Sequence, residues 1–225
     1  MRAKNSDGKF VEPFDPILSE HGFEGQYVEG TAWQHSFFVP HDFKGFSTLY
    51  GGEAQLERKL DSLFTAPSIL HGENTSADVT GLIGQYAHGN EPSHHIIYFY
   101  TLLNKPAKAA RWLKEVINTM YNTGPDGLVG NDDCGQMSAW YIWTALGMYP
   151  FNPTSGEYVF GLPFINDATL QLPNGKALHI KVKGPAEVAD RTELISVVLN
   201  GKAIPRKSID HKTLLKGGTL VYYVK

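Results

Sequence analysis

Two kinds of helical segment alternate along the first 150 residues, and this alternation is the strongest constraint on the fold. Gln26 to Phe38, Pro92 to Leu103 and Gly135 to Gly147 are apolar or aromatic on most sides, as in helices that are buried all round. Glu53 to Phe64 and Pro106 to Tyr121 instead carry one apolar and one charged face. An inner ring of buried helices covered by an outer ring of amphipathic ones would satisfy both kinds. Three such helical hairpins would make half of a closed double ring.

The pattern changes after Pro150. Short β-branched or alternating runs follow, separated by turn signals of the Asn-Gly and Gly-Gly type. The predicted strands are Glu157 to Phe160, Ala168 to Leu172, Ala177 to Val182, Leu194 to Leu199 and Thr219 to Val224. We therefore predict a mainly α chain with a β tail: a helical half-ring over residues 1–150 and an antiparallel β segment over residues 151–225. The β segment could stand alone or complete a sandwich begun elsewhere in a longer protein.

Composition and charge narrow the range of functions. A net charge of -3 gives no basic surface, so we expect neither nucleic acid nor a membrane as a partner. The longest apolar run, Ile96 to Leu103, is far shorter than the roughly 20 residues that a membrane-spanning helix needs. The single cysteine, Cys134, rules out an intrachain disulfide, and the acids beside it disfavour a thiolate nucleophile. Aromatic residues make up 12% of the chain, which suits ring-bearing ligands such as sugars but more often reflects core packing.

Three acidic loops each stand directly before an apolar helical segment. They are Tyr27-Val28-Glu29-Gly30, His88-Gly89-Asn90-Glu91-Pro92 and Gly130-Asn131-Asp132-Asp133. The second and third loops share a Gly-Asn-acid pattern about one helical hairpin apart. If the inner helices run parallel, all three loops emerge at one end and their carboxylates face one depression. The competing interpretation is helix capping, because Asn, Asp and Glu are favoured at helix N-termini in any case.

The acids suggest a specific chemistry. Two opposed carboxylates are the minimum for hydrolysing a glycosidic bond: one donates a proton to the leaving oxygen, and the other activates water or attacks. Glu29 and Asp133, which come from different loops, could form such a pair across a pocket. The Asn90-Glu91 loop offers the oxygen ligands that Ca²⁺ prefers. The histidines of that loop do not match the His-Glu-x-x-His zinc pattern, so zinc chemistry is the weaker alternative.

Longer motifs surround these loops. They are Gly22-Phe23-Glu24-Gly25, Glu29-Gly30-Thr31-Ala32-Trp33-Gln34, Val39-Pro40-His41-Asp42, Gly89-Asn90-Glu91-Pro92-Ser93-His94-His95, Gly130 to Trp140, and Leu146-Gly147-Met148-Tyr149-Pro150. In these motifs the chain resembles the glycoside hydrolase family 92 α-mannosidases, which are calcium-dependent, inverting, exo-acting enzymes found mostly in bacteria. The resemblance implies a partial (α/α)₆ toroid, with Glu29 as the general acid and Asp133 as the general base.

The resemblance also implies the remaining roles in the site. A neighbouring residue supports the base, and because relatives read Asp-Glu-Asp at this point, either Asn131 or Asp132 takes that position. The mannose 2- and 3-hydroxyls would bind a calcium ion held by Asn90, Glu91 and Asp133. The expected substrate-binding side chains are Trp33, His41 and His94.

Members of this family are much longer than the present chain, which resembles their C-terminal portion only. Mannose-containing glycans are the expected ligands, and the open apolar side of a half toroid would favour self-association. The resemblance implies a periplasmic or secreted location in a bacterium, although Met1 to Pro16 carries no apolar signal core. The alternative is a non-catalytic carbohydrate-binding or structural fragment that is inactive without the N-terminal half of the family fold.

Overall fold

The structure is a computed structural model that describes residues 2–20 and 25–225. Gly22, Phe23 and Glu24, which form most of the first motif, lie outside the described residues. The chain divides into two compact units. Unit 1 combines Met1–Ile96 with Met120–Met137, and unit 2 combines Ile97–Thr119 with Ser138–Lys225. The predicted boundary between a helical half-ring over residues 1–150 and a β segment over residues 151–225 stays a prediction.

Unit 1 begins with three helices, α1 (Ala32–Ser36), α2 (Phe43–Leu49) and α3 (Glu53–Thr65). The predicted helix over residues 26–38 is wrong in its first half, because the stretch before α1 is a loop. Thr31 ends that loop with a capping box: its hydroxyl accepts the Trp33 N–H, and the Gln34 side chain accepts the Thr31 N–H. The acid at Glu29 therefore lies outside the helix.

The amphipathic helix predicted over Glu53 to Phe64 is confirmed by α3. Its four apolar positions are all buried: Leu56, Leu60, Leu63 and Phe64. Helix α2 was not predicted. Asp42 is its N-cap: the Asp42 carboxylate accepts the Gly45 N–H at 2.8 Å. No strong apolar periodicity follows this cap in the sequence, so the helix was missed.

The continuous helix predicted from Pro92 to Leu103 is wrong, although the segment is buried as expected. It consists of two 3₁₀ turns, Glu91–Ser93 and Ile96–Tyr98, followed by α4 (Phe99–Leu102). A two-stranded hairpin precedes it, with β1 (Leu82–Ile83) paired to β2 (Tyr86–Ala87). Apolar composition predicted burial here, but burial alone does not make a long helix.

Helices α5 (Pro106–Met120) and α6 (Gln136–Ala145) lie close to their predicted positions. The apolar face of α5 is buried as expected. On α6, Trp140 is fully buried, but Tyr141 is 40% exposed and Ile142 is 57% exposed. The expectation that α6 is covered on nearly every side is therefore wrong within this chain. Across the described ranges, no helix is long and apolar enough to cross a membrane.

The β segment forms two sheets within unit 2. The first contains β3 (Met148–Asn152), β4 (Glu157–Phe160) and a third strand at Ser208–Asp210. The second contains, in chain order, β5 (Asp167–Gln171), β6 (Ala177–Lys183), β7 (Leu194–Leu199), β8 (Lys202–Ile204) and a last strand at Gly218–Val224. We label Ser208–Asp210 β9 and Gly218–Val224 β10. A short helix, α7 (His211–Leu214), lies between them.

All five predicted strands are present, and each bound agrees to within one residue. The pairing is antiparallel apart from β6 with β10, which run parallel, with Gly218 opposite Leu178. The β7–β8 hairpin turns at Asn200 and Gly201, whose φ angles of 50° and 80° are those that an Asn-Gly turn supplies. The predicted fold class, a mainly α chain with a β tail, is therefore confirmed.

A buried arginine holds loops of unit 2 together. Arg191 is fully buried, and its guanidinium donates to the carbonyl oxygens of Pro163 at 2.9 Å, Ile165 at 2.8 Å, Pro185 at 3.0 Å and Ala186 at 3.1 Å, and to the Asn166 side chain. Burial lowers the pKa of Arg191. Because each donor is paired with a neutral oxygen, the cation is solvated by backbone in place of water.

Candidate active site

Two side chains hold the backbone of the first acidic loop. The His35 ring donates from Nε2 to the Val28 carbonyl at 2.9 Å, and the Asn90 amide donates to the Glu29 carbonyl at 2.7 Å. A Cβ at Gly30 would approach the His35 ring to 2.7 Å, so a side chain does not fit there. Glu29 itself has a φ of 50°, a left-handed conformation that non-glycine residues adopt at a cost. These contacts leave the Glu29 side chain exposed next to the second acidic loop.

The second loop both caps a turn and fixes its neighbour. The Asn90 side-chain oxygen accepts the Glu91 N–H at 3.1 Å at the start of the 3₁₀ turn, while its nitrogen binds the Glu29 carbonyl. The capping interpretation of Asn90 is therefore correct, yet the same side chain also ties the first and second loops together. The capping and site interpretations do not exclude each other here.

The third loop has an unusual backbone. Asp133, Cys134 and Gly135 have successive φ angles of 45°, 57° and 92°, so two non-glycine residues in a row adopt the left-handed conformation. Helix α6 follows at once, and its first N–H groups are already paired. Gln136 donates to the Asp133 carbonyl and Met137 donates to the Asp132 carbonyl, both at 3.2 Å. Strain of this kind persists only where the surroundings over-determine it, and it is concentrated at functional sites.

The shared Gly-Asn-acid pattern has a direct structural cause. A Cβ at Gly130 would lie 3.1 Å from the Gly89 carbonyl oxygen and 3.2 Å from the Gly89 Cα. A Cβ at Gly89 would overlap the Thr80 hydroxyl. The second and third loops therefore cross backbone to backbone at their glycines. The acid of each loop follows its crossing point by two or three residues.

The three acidic loops bring their carboxyl groups together. Burial raises the pKa of Glu91, and the negative charge of Asp133, a hydrogen bond to the Asp133 side chain, and the charge of Glu29 raise it further. Two carboxyl groups can share a hydrogen bond only if one of them carries a proton. Glu29 and Asp133 therefore lie close enough to Glu91 to affect its charge, and the expectation that all three carboxyl groups face one depression stays a prediction. Asp132 is half-buried and Asn131 is exposed.

The donor set matches calcium in ligand type. Glu91 and Asp133 offer two neighbouring carboxyl groups of the kind that Ca²⁺ prefers. Among the described residues, however, no three His, Cys, Asp or Glu side chains are close enough to enclose a metal ion. Asn90 already uses its side-chain oxygen on the Glu91 N–H. Most of the six to eight oxygens that Ca²⁺ takes would come from backbone, water or substrate.

The expected substrate-binding side chains lie in three different environments. Trp33 lines a pocket of about 340 Å³, where the Lys59 ammonium is 3.6 Å from the centre of the Trp33 ring. His41 is exposed at a wide depression of about 640 Å³. His94 is only 1% exposed. Trp33 and His41 are therefore open to a ligand, whereas His94 is part of the interior.

The two ring nitrogens of His94 both have protein partners. Nε2 donates to the His88 carbonyl at 3.0 Å, and Nδ1 accepts from the Gln136 amide at 3.3 Å. Burial lowers the pKa of His94 to about 4, so the ring is neutral near pH 7. The sequence motif identified His94, but it did not reveal that Gln136, Tyr86 and Tyr121 belong to the same hydrogen-bonded group.

Comparison with known proteins places this geometry in a family. The family model described as the glycosyl hydrolase family 92 catalytic domain matches residues 1–225. A curated relative in Arthroderma benhamiae, described as an uncharacterized secreted glycosidase, is 30% identical over 193 residues, which are 85% of this chain and 23% of the relative.

Solved structures match over the whole chain. A family GH92 α-mannosidase from Bacteroides thetaiotaomicron, in complex with mannoimidazole, is 33% identical and superimposes with a TM-score of 0.90. An inverting GH92 mannosidase from the same organism is 34% identical with a TM-score of 0.82. The match covers 100% of this chain but only 30% and 31% of those two chains. The expected class of a partial helical toroid followed by a β segment is the one these matches support, and this chain belongs to glycosyl hydrolase family 92.

Proposed function

We propose that this chain is the C-terminal catalytic segment of an inverting, calcium-dependent exo-α-mannosidase that hydrolyses terminal α-mannosides of glycans. The observation that carries the proposal is the proximity of three acidic loops. Glu29 and Asp133 are far apart in sequence, yet the negative charges of both raise the pKa of the Glu91 carboxyl group. The α-mannosidase and inverting mannosidase named among the similar structures support the choice of substrate and stereochemistry.

The proposed roles follow from what each carboxyl group can do. Glu29, protonated, donates its proton to the glycosidic oxygen as the bond from that oxygen to the anomeric carbon breaks. Asp133, ionised, takes a proton from a water molecule that attacks the anomeric carbon from the opposite face. The products are β-mannose and the shortened glycan, and Asp132 or Asn131 orients the base. The left-handed backbone at Glu29 and Asp133 would hold both carboxyl groups without reorganisation during the reaction.

Calcium, when bound by Asn90, Glu91 and Asp133, would neutralise the crowded carboxylates and hold two sugar hydroxyls. Burial and the negative charges of Asp133 and Glu29 raise the pKa of Glu91, and a bound cation would oppose that rise. Trp33 and His41 would contact the glycan from their open pockets. His94 is buried and would support the site through its hydrogen bonds to His88 and Gln136. We also propose a secreted or periplasmic location, which the description of the Arthroderma relative as secreted supports.

The test is mannose release from mannobioses of different linkage, with and without Ca²⁺. It is run on this chain and on a longer protein that contains it. Because each removes one proton-transferring group, Glu29→Gln and Asp133→Asn should lower kcat by about 10²–10⁴-fold. Proton NMR should show β-mannose as the first product, and a chelator should abolish turnover.

Matched controls are Glu73→Gln and Asp126→Asn, which neutralise exposed acids outside the three loops and should leave kcat unchanged. Near-normal turnover in either site variant, or α-mannose as the first product, would contradict the proposed roles. If this chain alone binds mannosides without turnover while the longer protein is active, the fragment is a binding and structural element on its own.

A further inference from the structure

A group of hydrogen-bonded side chains lies behind the acidic loops in unit 1. We call it the histidine network, and it consists of Tyr86, His88, His94, Tyr121 and Gln136. The Tyr86 hydroxyl lies 2.8 Å from His88 Nδ1, and His88 Nε2 lies 2.7 Å from the Tyr121 hydroxyl. Tyr121 in turn donates to the Met137 carbonyl at 3.1 Å. The proposed reaction does not use any of these groups directly.

The direction of each hydrogen bond in the network follows from its last acceptor. The Met137 carbonyl can only accept, so the Tyr121 hydroxyl donates its hydrogen bond there. The hydroxyl oxygen must then accept from His88 Nε2–H. In the neutral ring, His88 Nδ1 then carries no hydrogen and accepts a hydrogen bond from the Tyr86 hydroxyl. His88 is fully buried. Its two hydroxyl partners therefore hold the ring in a single tautomer.

The second arm of the network reaches the base loop by another route. His94 Nε2 donates to the His88 carbonyl at 3.0 Å, which leaves its Nδ1 to accept from the Gln136 side chain at 3.3 Å. Gln136 is the first residue of α6, and its backbone N–H binds the Asp133 carbonyl. Both arms thus end on α6, at Gln136 and at Met137.

The two ends of the network adjoin the two crossing loops. His88 directly precedes Gly89, where the loops cross, and the Asn90-Glu91 pair that follows it. Gln136 and Met137 directly follow the base loop and donate to the carbonyls of Asp133 and Asp132. A rigid connection between these ends fixes how far the base loop lies from the Asn90-Glu91 loop. Asn90 also binds the Glu29 carbonyl, so the position of the acid is set from the same point.

We propose that Tyr121 and Gln136 are positioning residues: through His88 and His94 they hold the Asp132-Asp133 loop at the distance from Glu29 that the reaction requires. This inference rests on the proposed function. A misplacement of about 1 Å far from the reacting atoms can cost about 100-fold in rate. Loss of either residue should therefore lower kcat more than it changes KM, because the alignment of the attacking water matters in the transition state and not for binding the sugar.

The experiment measures kcat and KM on a mannobiose in a longer protein that contains this chain. Tyr121→Phe removes the hydroxyl that joins His88 Nε2 to the Met137 carbonyl, and kcat should fall at least about tenfold with KM within about twofold. The matched control is Tyr98→Phe, which deletes a buried hydroxyl that lies 2.8 Å from Thr144 Oγ1 in unit 2. Its kcat should equal that of the wild type, although its thermal stability should fall by a similar amount.

A second variant keeps the test decisive if Tyr121→Phe does not fold. Gln136→Met has similar length but no donor for His94, and Gln136 is only half-buried, so folding should survive. It should lower kcat severalfold with KM unchanged. Wild-type kcat in either folded variant would overturn the inference. If Asp133→Asn retains activity, the proposed function fails instead; if Asp133→Asn is inactive while Tyr121→Phe is normal, only the positioning role fails.

Discussion

At the scale of single residues, the site depends on two glycines, whose lack of a side chain lets two loops approach closely. Gly89 and Gly130 let the second and third acidic loops cross within backbone contact, and Thr80 closes the crossing from the side. The Thr80 hydroxyl is buried and has no hydrogen-bond partner among the described residues. The loops are therefore packed against a group that contributes shape and no hydrogen bond. Shape alone makes this crossing sensitive to one added methyl group.

Gly89→Ala should destabilise the protein by about 1–3 kcal/mol, because the new Cβ overlaps the Thr80 hydroxyl in a packed site. Thr80→Ala removes that hydroxyl and should by itself have a much smaller effect, since the hydroxyl has no partner. The double variant Thr80→Ala/Gly89→Ala should recover a good part of the loss. Urea unfolding of all four proteins measures this coupling. Simple addition of the two single effects would rule out the proposed clash.

From the sequence we predicted that the loops of Glu29, Glu91 and Asp133 face one depression, but not how their backbones are held. That prediction assumed parallel inner helices, and the apolar segment after Glu91 forms 3₁₀ turns and one short helix instead. The left-handed backbone at Glu29 and Asp133 left no signal, since neither Glu nor Asp marks a positive φ as glycine does. The interior position of His94 was equally hidden, because a motif gives the residue type and not its exposure.

At the scale of elements, strands were easier to predict than helices. Each predicted strand is short, is β-branched or alternating, and is bounded by a turn signal, so three signals agree. The apolar segments at residues 26–38 and 92–103 offered only one signal, their apolar composition. That composition was satisfied by a capped short helix in one case and by tight turns in the other. Continuity of a helix depends on local caps, and here Thr31 and Asn90 decided it.

Arg191 is the residue on which the β elements should depend most. Arg191→Met removes the donors from four carbonyls and the Asn166 side chain, and it should cost about 1–3 kcal/mol because buried and part-buried acceptors lose their partners. The control is Arg111→Met, which removes an exposed guanidinium that only stacks on Trp112. Guanidinium chloride unfolding followed by circular dichroism compares the two. Equal midpoints would show that the buried guanidinium does not hold the loops.

At the scale of the whole molecule, the chain spans about 30% of the solved mannosidase chains that it matches, and part of α6 is open. Tyr141 and Ile142 give α6 an exposed apolar side, which the sequence had led us to expect to be covered. Exposed apolar surface of this kind favours association. Self-association of the isolated chain therefore stays a prediction, and Tyr141 and Ile142 are the residues through which we expect it to occur.

We expect the isolated chain to form concentration-dependent oligomers in sedimentation velocity, because association removes this apolar side from water. Ile142→Lys together with Tyr141→Lys should shift the population towards monomer. Leu49→Lys is the control, since Leu49 is 86% exposed on a different element and should leave the oligomers unchanged. A chain that sediments as a monomer at all concentrations would contradict the prediction, as would an equal effect of the control.

The interleaving of the two units has a consequence for the order of events on the ribosome. Unit 1 needs residues 120–137, which are made only after the helical stretch at 97–119 that belongs to unit 2. The base loop thus reaches the Glu29 loop by closing a long chain segment, and non-local contacts of this kind slow folding. Until then the Glu29 and Asn90 loops have no third partner. A nascent chain stalled before residue 132 would hold the proposed acid without its base, so hydrolytic capacity would arise in one late step of synthesis.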